Sequence, residues 1–304
     1  MDHVRWSERP ELDRPVLIAA FEGWNDAGDA ASGAVRFLRD RWGAEPFAHI
    51  DCEEYFDFSS TRPQVRLDED GRRVLDWPTT EFSAARVPGT EIDVVLVLGT
   101  EPQLRWQSYC RQVLTVAEAT GARLAVTLGA LLADVPHSRP VSVIGTSEDD
   151  LLRDRYALRR STYEGPTGIV GVLTDAFSRQ GLPATSLWAA VPSYVPAAPS
   201  PKATLALVRR TTGMLQVDVM ATDLEIASAS YERQITELVE DDDDTVAYVR
   251  HLEERVDAAE SQGELLPLDI DDDDDDDPMS GAEPDAGALV QEVERYLRLH
   301  QDEE

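Results

Sequence analysis

The segment that most constrains the fold is an apolar run, Pro15-Val16-Leu17-Ile18-Ala19-Ala20, leading into Phe21-Glu22-Gly23-Trp24-Asn25-Asp26-Ala27-Gly28. An alanine-rich pattern of helical period follows, from Ala27 to Arg41. Apolar run, glycine-bearing turn and helix together make the first βα junction of an α/β domain. In such sheets function concentrates just past the carboxyl ends of the strands. Here that position carries Glu22, Trp24, Asn25 and Asp26 within five residues.

The same alternation continues along the chain. Strands are predicted at 16–21, 46–51, 64–67, 72–75, 92–98, 123–128, 141–146 and 184–191. The pair 64–67 and 72–75 encloses Asp68-Glu69-Asp70-Gly71 and reads as a hairpin with Asp-Gly at its turn. Ile92 to Leu98 is apolar on both faces, which suits a central strand covered by helices on either side. Helical spacing recurs at 105–119 and 168–180. These elements predict a three-layer α/β/α sandwich around a mostly parallel or mixed sheet, with the α/β body spanning 1–212.

A helical extension is predicted over 213–262. Leu224, Ser228, Tyr231, Ile235 and Leu238 form one stripe and Val246, Val249, Leu252 and Val256 a second, separated by Glu240 to Asp244. This reads as a helical hairpin packed on the body or on another subunit. Residues 263–304 read as an acidic, disordered tail containing the run Asp271 to Asp277. Leu289, Val290, Val293, Tyr296 and Leu297 suggest a short amphipathic helix near its end.

Charge is placed unevenly. Of a net −31, residues 222–304 carry 29 acids against 5 bases, and residues 1–221 carry 30 against 23. Nucleic acid and anionic membranes are poor partners for such a surface. No apolar stretch reaches transmembrane length, and Met1 to Trp6 lacks the apolar core of a signal peptide. Cys52 and Cys110 are too few for a disulfide framework or a zinc cage, so a reducing cytoplasm is the expected compartment. No cofactor or metal is expected. Walker A, G-x-S-x-G, H-E-x-x-H and C-x-x-C patterns are all missing.

Several polar residues nevertheless follow predicted strands. Glu22, Asp26, Glu101, His137, Arg139 and Glu164 supply carboxylates, an imidazole and a guanidinium, the ingredients of a general acid–base site. Each also has a structural reading. Asp26 suits a helix cap, Trp24 a packed aromatic, and His137 a hydrogen-bonded loop residue. Tyr163-Glu164-Gly165-Pro166-Thr167-Gly168 combines a Gly165-Pro166 turn with a Thr167 cap; its free amides would suit an anion or a capped helix start. Tyr194 lies in a proline-punctuated loop before a helix capped by Ser200 with Pro201 at its first position. Lys202, the single lysine, falls in that first turn and reads as a solvated surface residue.

Taken together, four segments resemble the proteasome assembly chaperone 2 family, in its actinobacterial branch. They are Phe21 to Gly28, Gly129 to Pro140, Tyr163 to Ile169, and Leu187 to Pro192 leading to Pro199-Ser200-Pro201-Lys202-Ala203. The resemblance runs over about residues 12–260. It implies an α/β/α sandwich similar to purine nucleoside phosphorylases and a homo-oligomer, with relatives that hold proteasome α-subunits during ring assembly. It marks Gly23, Trp24, Asn25, Gly28, Tyr163, Gly165, Pro166, Gly168, Tyr194 and Lys202 as motif residues. Docking relatives often end in a hydrophobic-Tyr-X tail, whereas this sequence ends His300-Gln301-Asp302-Glu303-Glu304, so docking by that route is not expected.

Two functions follow as expectations. The first is a non-enzymatic protein-binding scaffold or chaperone with itself and proteasome α-subunits as partners. The second is an enzyme or small-molecule binder, phosphorylase- or hydrolase-like, in which the six acid–base candidates converge on one pocket. A weaker third option gives the acidic tail a basic partner or the body itself to bind.

Overall fold

The structure is a computed structural model and describes residues 3–262 apart from Glu69 and Ala197. The readings made for the acidic run and the terminal amphipathic segment lie outside the described residues. In chain order the elements are β1 (Val4–Trp6), β2 (Val16–Glu22), α1 (Ala30–Trp42), β3 (Glu45–Ile50), β4 (Gln64–Leu67), β5 (Arg73–Asp76), β6 (Thr80–Arg86), β7 (Asp93–Thr100) and α2 (Trp106–Ala119). Then come β8 (Leu124–Ala133), β9 (Val143–Thr146), α3 (Asp150–Tyr156), α4 (Ile169–Arg179), β10 (Ala184–Pro192), α5 (Pro201–Leu215), α6 (Thr222–Glu240) and α7 (Asp243–Gln262).

An eight-stranded sheet in the order β1-β3-β6-β7-β2-β8-β10-β9 forms the middle layer. Its centre, β7-β2-β8-β10, is parallel. The flanking strands β6, β3, β1 and β9 join by antiparallel pairing, so the sheet is mixed. Strand β2 is apolar at every position through Phe21 because both faces are covered. Val16, Ile18 and Ala20 enter one core with α1 and α5, and Leu17, Ala19 and Phe21 enter the other with α2 and α4. Each fully buried Leu, Ile or Phe contributes roughly 1.5–3 kcal/mol of transfer free energy. The two cores, one on each face, are what make this a three-layer sandwich.

Three elements depart from the sequence reading. β1 and β6 were not expected, because Val4-Arg5-Trp6 is short and Thr80 to Arg86 carries Phe82 as its single large apolar residue. β6 is a strand because both its neighbours, β3 and β7, offer it a ladder. α3 was also missed: it buries no residue, so no apolar stripe announces it. Its start is set locally by Asp149, which accepts from Leu151 and Leu152 N–H.

The C-terminal helices pack on the body. Tyr231, Ile235 and Val239 of α6 and Val249 and Leu252 of α7 share one apolar cluster with Tyr194, Val195 and Ala198 of the proline-rich loop. Between the helices, Asp242 turns the acidic run into a cap, accepting from Thr245 N–H at 2.9 Å. The strands β4 and β5 form a separate two-stranded hairpin whose turn uses Gly71 at φ +74°.

Candidate functional site

Parallel pairing brings the carboxyl ends of β2, β7 and β8 to one edge of the sheet. The turn after β2 is tight: Gly23 sits at φ +115° and its carbonyl accepts from Asp26 N–H at 3.0 Å. That turn sends consecutive side chains in different directions. Asn25 is fully buried and Trp24 is 63% exposed. The expectation of a packed Trp24 is therefore corrected; the inward position belongs to Asn25.

Asn25 Nδ2 donates to Glu101 Oε1 at 2.6 Å, and the same oxygen accepts from Ile169 N–H at 2.7 Å. The first amide of α4 is thus capped by a carboxylate from the loop after β7, where Thr167 had been expected to act. Gly168 lies against Asn25 so closely that a Cβ there would overlap its amide. Glu22 is paired with Arg36 and accepts from Thr100 Oγ1 at 3.2 Å. Asp26 Oδ1 accepts from Ala31 and Ser32 N–H at 2.7 and 3.0 Å, capping α1. Burial raises the Asp26 carboxyl above its ordinary range, against the lowering effect of these bonds. Gly28, at φ +59°, lies under α5, and a Cβ there would come within 2.9 Å of Ser200.

Facing outward from this edge are large apolar side chains. Trp24, Leu104, Leu132 and Tyr163 follow or end β2, β7 and β8 or precede α4, and each is more than two-fifths exposed. Tyr163 donates its hydroxyl to Pro166 O at 2.8 Å, and its ring covers Gly165. Glu164 is exposed beside it. Leu104 and Leu132 were not anticipated: Leu104 stands alone between Gln103 and Arg105, and Leu132 continues an apolar strand that reads as core.

His137 and Arg139 sit elsewhere, under the C-terminal helices. His137 is 4% exposed. Its backbone N–H donates to Tyr194 Oη, its Nδ1 lies 2.7 Å from the same hydroxyl, and its Nε2 lies 3.0 Å from Thr236 Oγ1. Thr236 in turn donates to Glu232 O. The consistent assignment has Tyr194 donating to Nδ1 and a neutral ring donating from Nε2 to Thr236. Desolvation, with Lys202 close by, lowers the His137 pKa from 6.5 to about 4. Lys202 bonds His137 O and Glu232, and its side chain is only 14% exposed, which corrects the reading of a solvated lysine. Arg139 holds Asp257 of α7 by two bonds of 2.7 and 2.8 Å and also reaches Glu253.

The six acid–base candidates are therefore divided. Glu22, Asp26 and Glu101 are engaged at the strand tips, His137 and Arg139 join the body to α6 and α7, and Glu164 lies on the surface. A crevice of about 180 Å³ opens beside the second group, lined by His137, Arg139, Lys202, Tyr231 and Val256 among others, and none of the four carboxylates borders it. Among the described residues no group of three His, Cys, Asp or Glu side chains is placed to hold a metal ion.

The model of the PAC2 family matches residues 20–239. The chain belongs to the PAC2 family. A PAC2 family protein from Streptomyces avermitilis is 47% identical, with a TM-score of 0.71 over 77% of this chain and 99% of the other. A proteasome-assembly chaperone homologue from Mycobacterium tuberculosis is 45% identical, with the same TM-score and the same coverage of both chains. An archaeal proteasome activator from Pyrococcus furiosus, at 19% identity and a TM-score of 0.64 over 78% of this chain and 99% of that one, shares the fold. No curated protein matches the sequence.

The PAC2 match begins inside β2 and ends within α6. It thus contains both the strand-tip edge and the His137 network, while α7 lies beyond it. Glu232 and Thr236, which hold Lys202 and His137, were missed in the sequence. Both sit on the polar shoulder of the α6 stripe, where a helix pattern gives no signal of a buried partner. Among the described residues, no helix is long and apolar enough to cross a membrane.

Proposed function

We propose that this PAC2 protein is a non-enzymatic, protein-binding chaperone or scaffold, that its client is a proteasome component, and that it works as a homo-oligomer. The observation that carries the reading is the strand-tip edge. Its ionisable groups are engaged in internal hydrogen bonds, while Trp24, Leu104, Leu132 and Tyr163 face solvent. Exposed aromatic and aliphatic side chains around a rigid frame are what a protein-binding surface needs. The client class comes from the 45%-identical relative, a proteasome-assembly chaperone homologue.

An acid–base enzyme has less support. It requires carboxylates, imidazole and guanidinium around one substrate, and here they belong to separate networks. The test is binding of recombinant proteasome α-subunits from the same organism to the immobilised protein. Measurable binding is expected, weakened roughly tenfold or more by Trp24→Ala with Tyr163→Ala. Absence of binding by the unaltered protein would remove the proteasome client from the reading.

A further inference from the structure

The β4–β5 hairpin stands apart from the eight-stranded sheet and belongs to neither of its two cores. Its register places Val65 opposite Leu75 and Leu67 opposite Arg73, so Val65, Leu67, Arg73 and Leu75 share one face. The other face carries Gln64, Arg66, Val74 and Asp76, with Arg66 Nε bonded to Asp76 at 2.6 Å. The first face is the apolar one, yet it is open: Val65 is 50%, Leu67 65% and Leu75 53% exposed. Trp77, at the end of β5, is 46% exposed and stacks edgewise on Phe58 at 4.9 Å. An isolated two-stranded hairpin is marginal in water and needs a covering layer.

We propose that the cover is a second copy of this chain, and that the β4–β5 hairpin is the arm through which copies associate. Charge favours that occupant. The protein carries a net −31, so two copies repel at long range. The stretch 62–77 carries none of that excess. It holds Arg62, Arg66, Arg72 and Arg73 against Asp68, Glu69, Asp70 and Asp76 and is neutral. A neutral, mixed-sign surface with an apolar face is self-complementary, as contact between identical copies requires. Among the described residues, no other layer lies over this face. A second copy is present whenever the first is.

This inference rests on the homo-oligomer part of the proposed function and names the surface that performs it. Sedimentation equilibrium over a range of concentrations tests it. The unaltered protein is expected to show a mass above that of one chain. Val65→Asp with Leu75→Asp is expected to raise the dissociation constant at least tenfold, while Trp24→Ala at the strand-tip edge leaves the mass unchanged. Far-UV circular dichroism confirms that the double variant is folded; if it is not, Leu67→Lys, at the most exposed of the three positions, decides. Amide exchange over 64–76 in the unaltered protein is expected to slow as concentration rises. A monomer at every concentration overturns both this inference and the homo-oligomer reading. An oligomer whose mass the hairpin substitutions do not change overturns the hairpin alone.

Discussion

Asn25 and Glu101 are joined across the tips of two neighbouring parallel strands, and the Glu101 oxygen that receives Asn25 Nδ2 also receives Ile169 N–H. One acceptor atom therefore fastens the turn after β2, the turn after β7 and the first residue of α4. Such sharing explains how a carboxylate, set where a catalytic group would sit, becomes a structural fixture.

Removing that acceptor exposes its contribution. Glu101→Ala leaves a buried amide hydrogen and a helix N–H without partners, and the expected loss is about 2 kcal/mol in a urea unfolding titration. Glu101→Gln, which keeps one acceptor oxygen, is expected to lose less. Equal stability of Glu101→Ala and the unaltered protein would contradict the fastening.

Two glycines make opposite predictions under the same substitution. Gly168→Ala drives a methyl group into the Asn25 side chain, which Glu101 and the surrounding core hold in place, for an expected loss of about 1–3 kcal/mol. Gly213→Ala, at an exposed position in α5 with nothing near the added atom, is expected to gain up to about 1 kcal/mol. Thermal unfolding of the two variants side by side separates packing from helix propensity.

His137 predicts an acid-sensitive clamp. Its folded pKa is lowered to about 4 from 6.5, so the folded state disfavours the protonated ring. The stability it contributes is complete above pH 6.5 and is lost as pH falls toward 4. Asp26 acts in the opposite sense: its raised carboxyl costs most when ionised, and acid relieves that cost. The melting temperature of the unaltered protein is expected to fall between pH 6.5 and 4, and His137→Asn is expected to flatten the slope in that window. An unchanged slope would mean that the ring does not titrate against folding.

The contacts of Arg139 with Asp257 and Glu253 fasten α7 to the body. Arg139→Met keeps the aliphatic stem and removes the forked bond. Hydrogen exchange is expected to accelerate over residues 243–262 while the central strands remain unaffected. Faster exchange spread evenly over the sheet would show that the contact supports the whole fold.

The central strands were readable because burial on both faces leaves an apolar run, as Val16 to Phe21 and Val94 to Leu98 show. β6 was not readable, since its pairing comes from β3 and β7 and not from its own pattern. At the site, residue types predicted which positions were special, while their directions stayed hidden. Trp24 and Asn25 are neighbours in sequence, yet Asn25 is buried against Glu101 and Gly168 while Trp24 faces solvent. Lys202 reads as surface because its partners, Glu232 and the His137 carbonyl, arrive from distant parts of the chain.

The position of β2 bears on how the chain reaches its native state. It occupies the middle of the sheet, yet Val16 pairs with Val94 on one side and Leu124 on the other. During synthesis the most apolar early strand therefore emerges long before either edge it needs. Closing those distant pairings costs loop entropy before any ladder repays it, which makes slow folding the expectation for this topology. Until β8 is complete, β2 is an uncovered apolar ribbon open to wrong partners. A protein whose relatives are named for assisting assembly thus starts life with an assembly problem of its own.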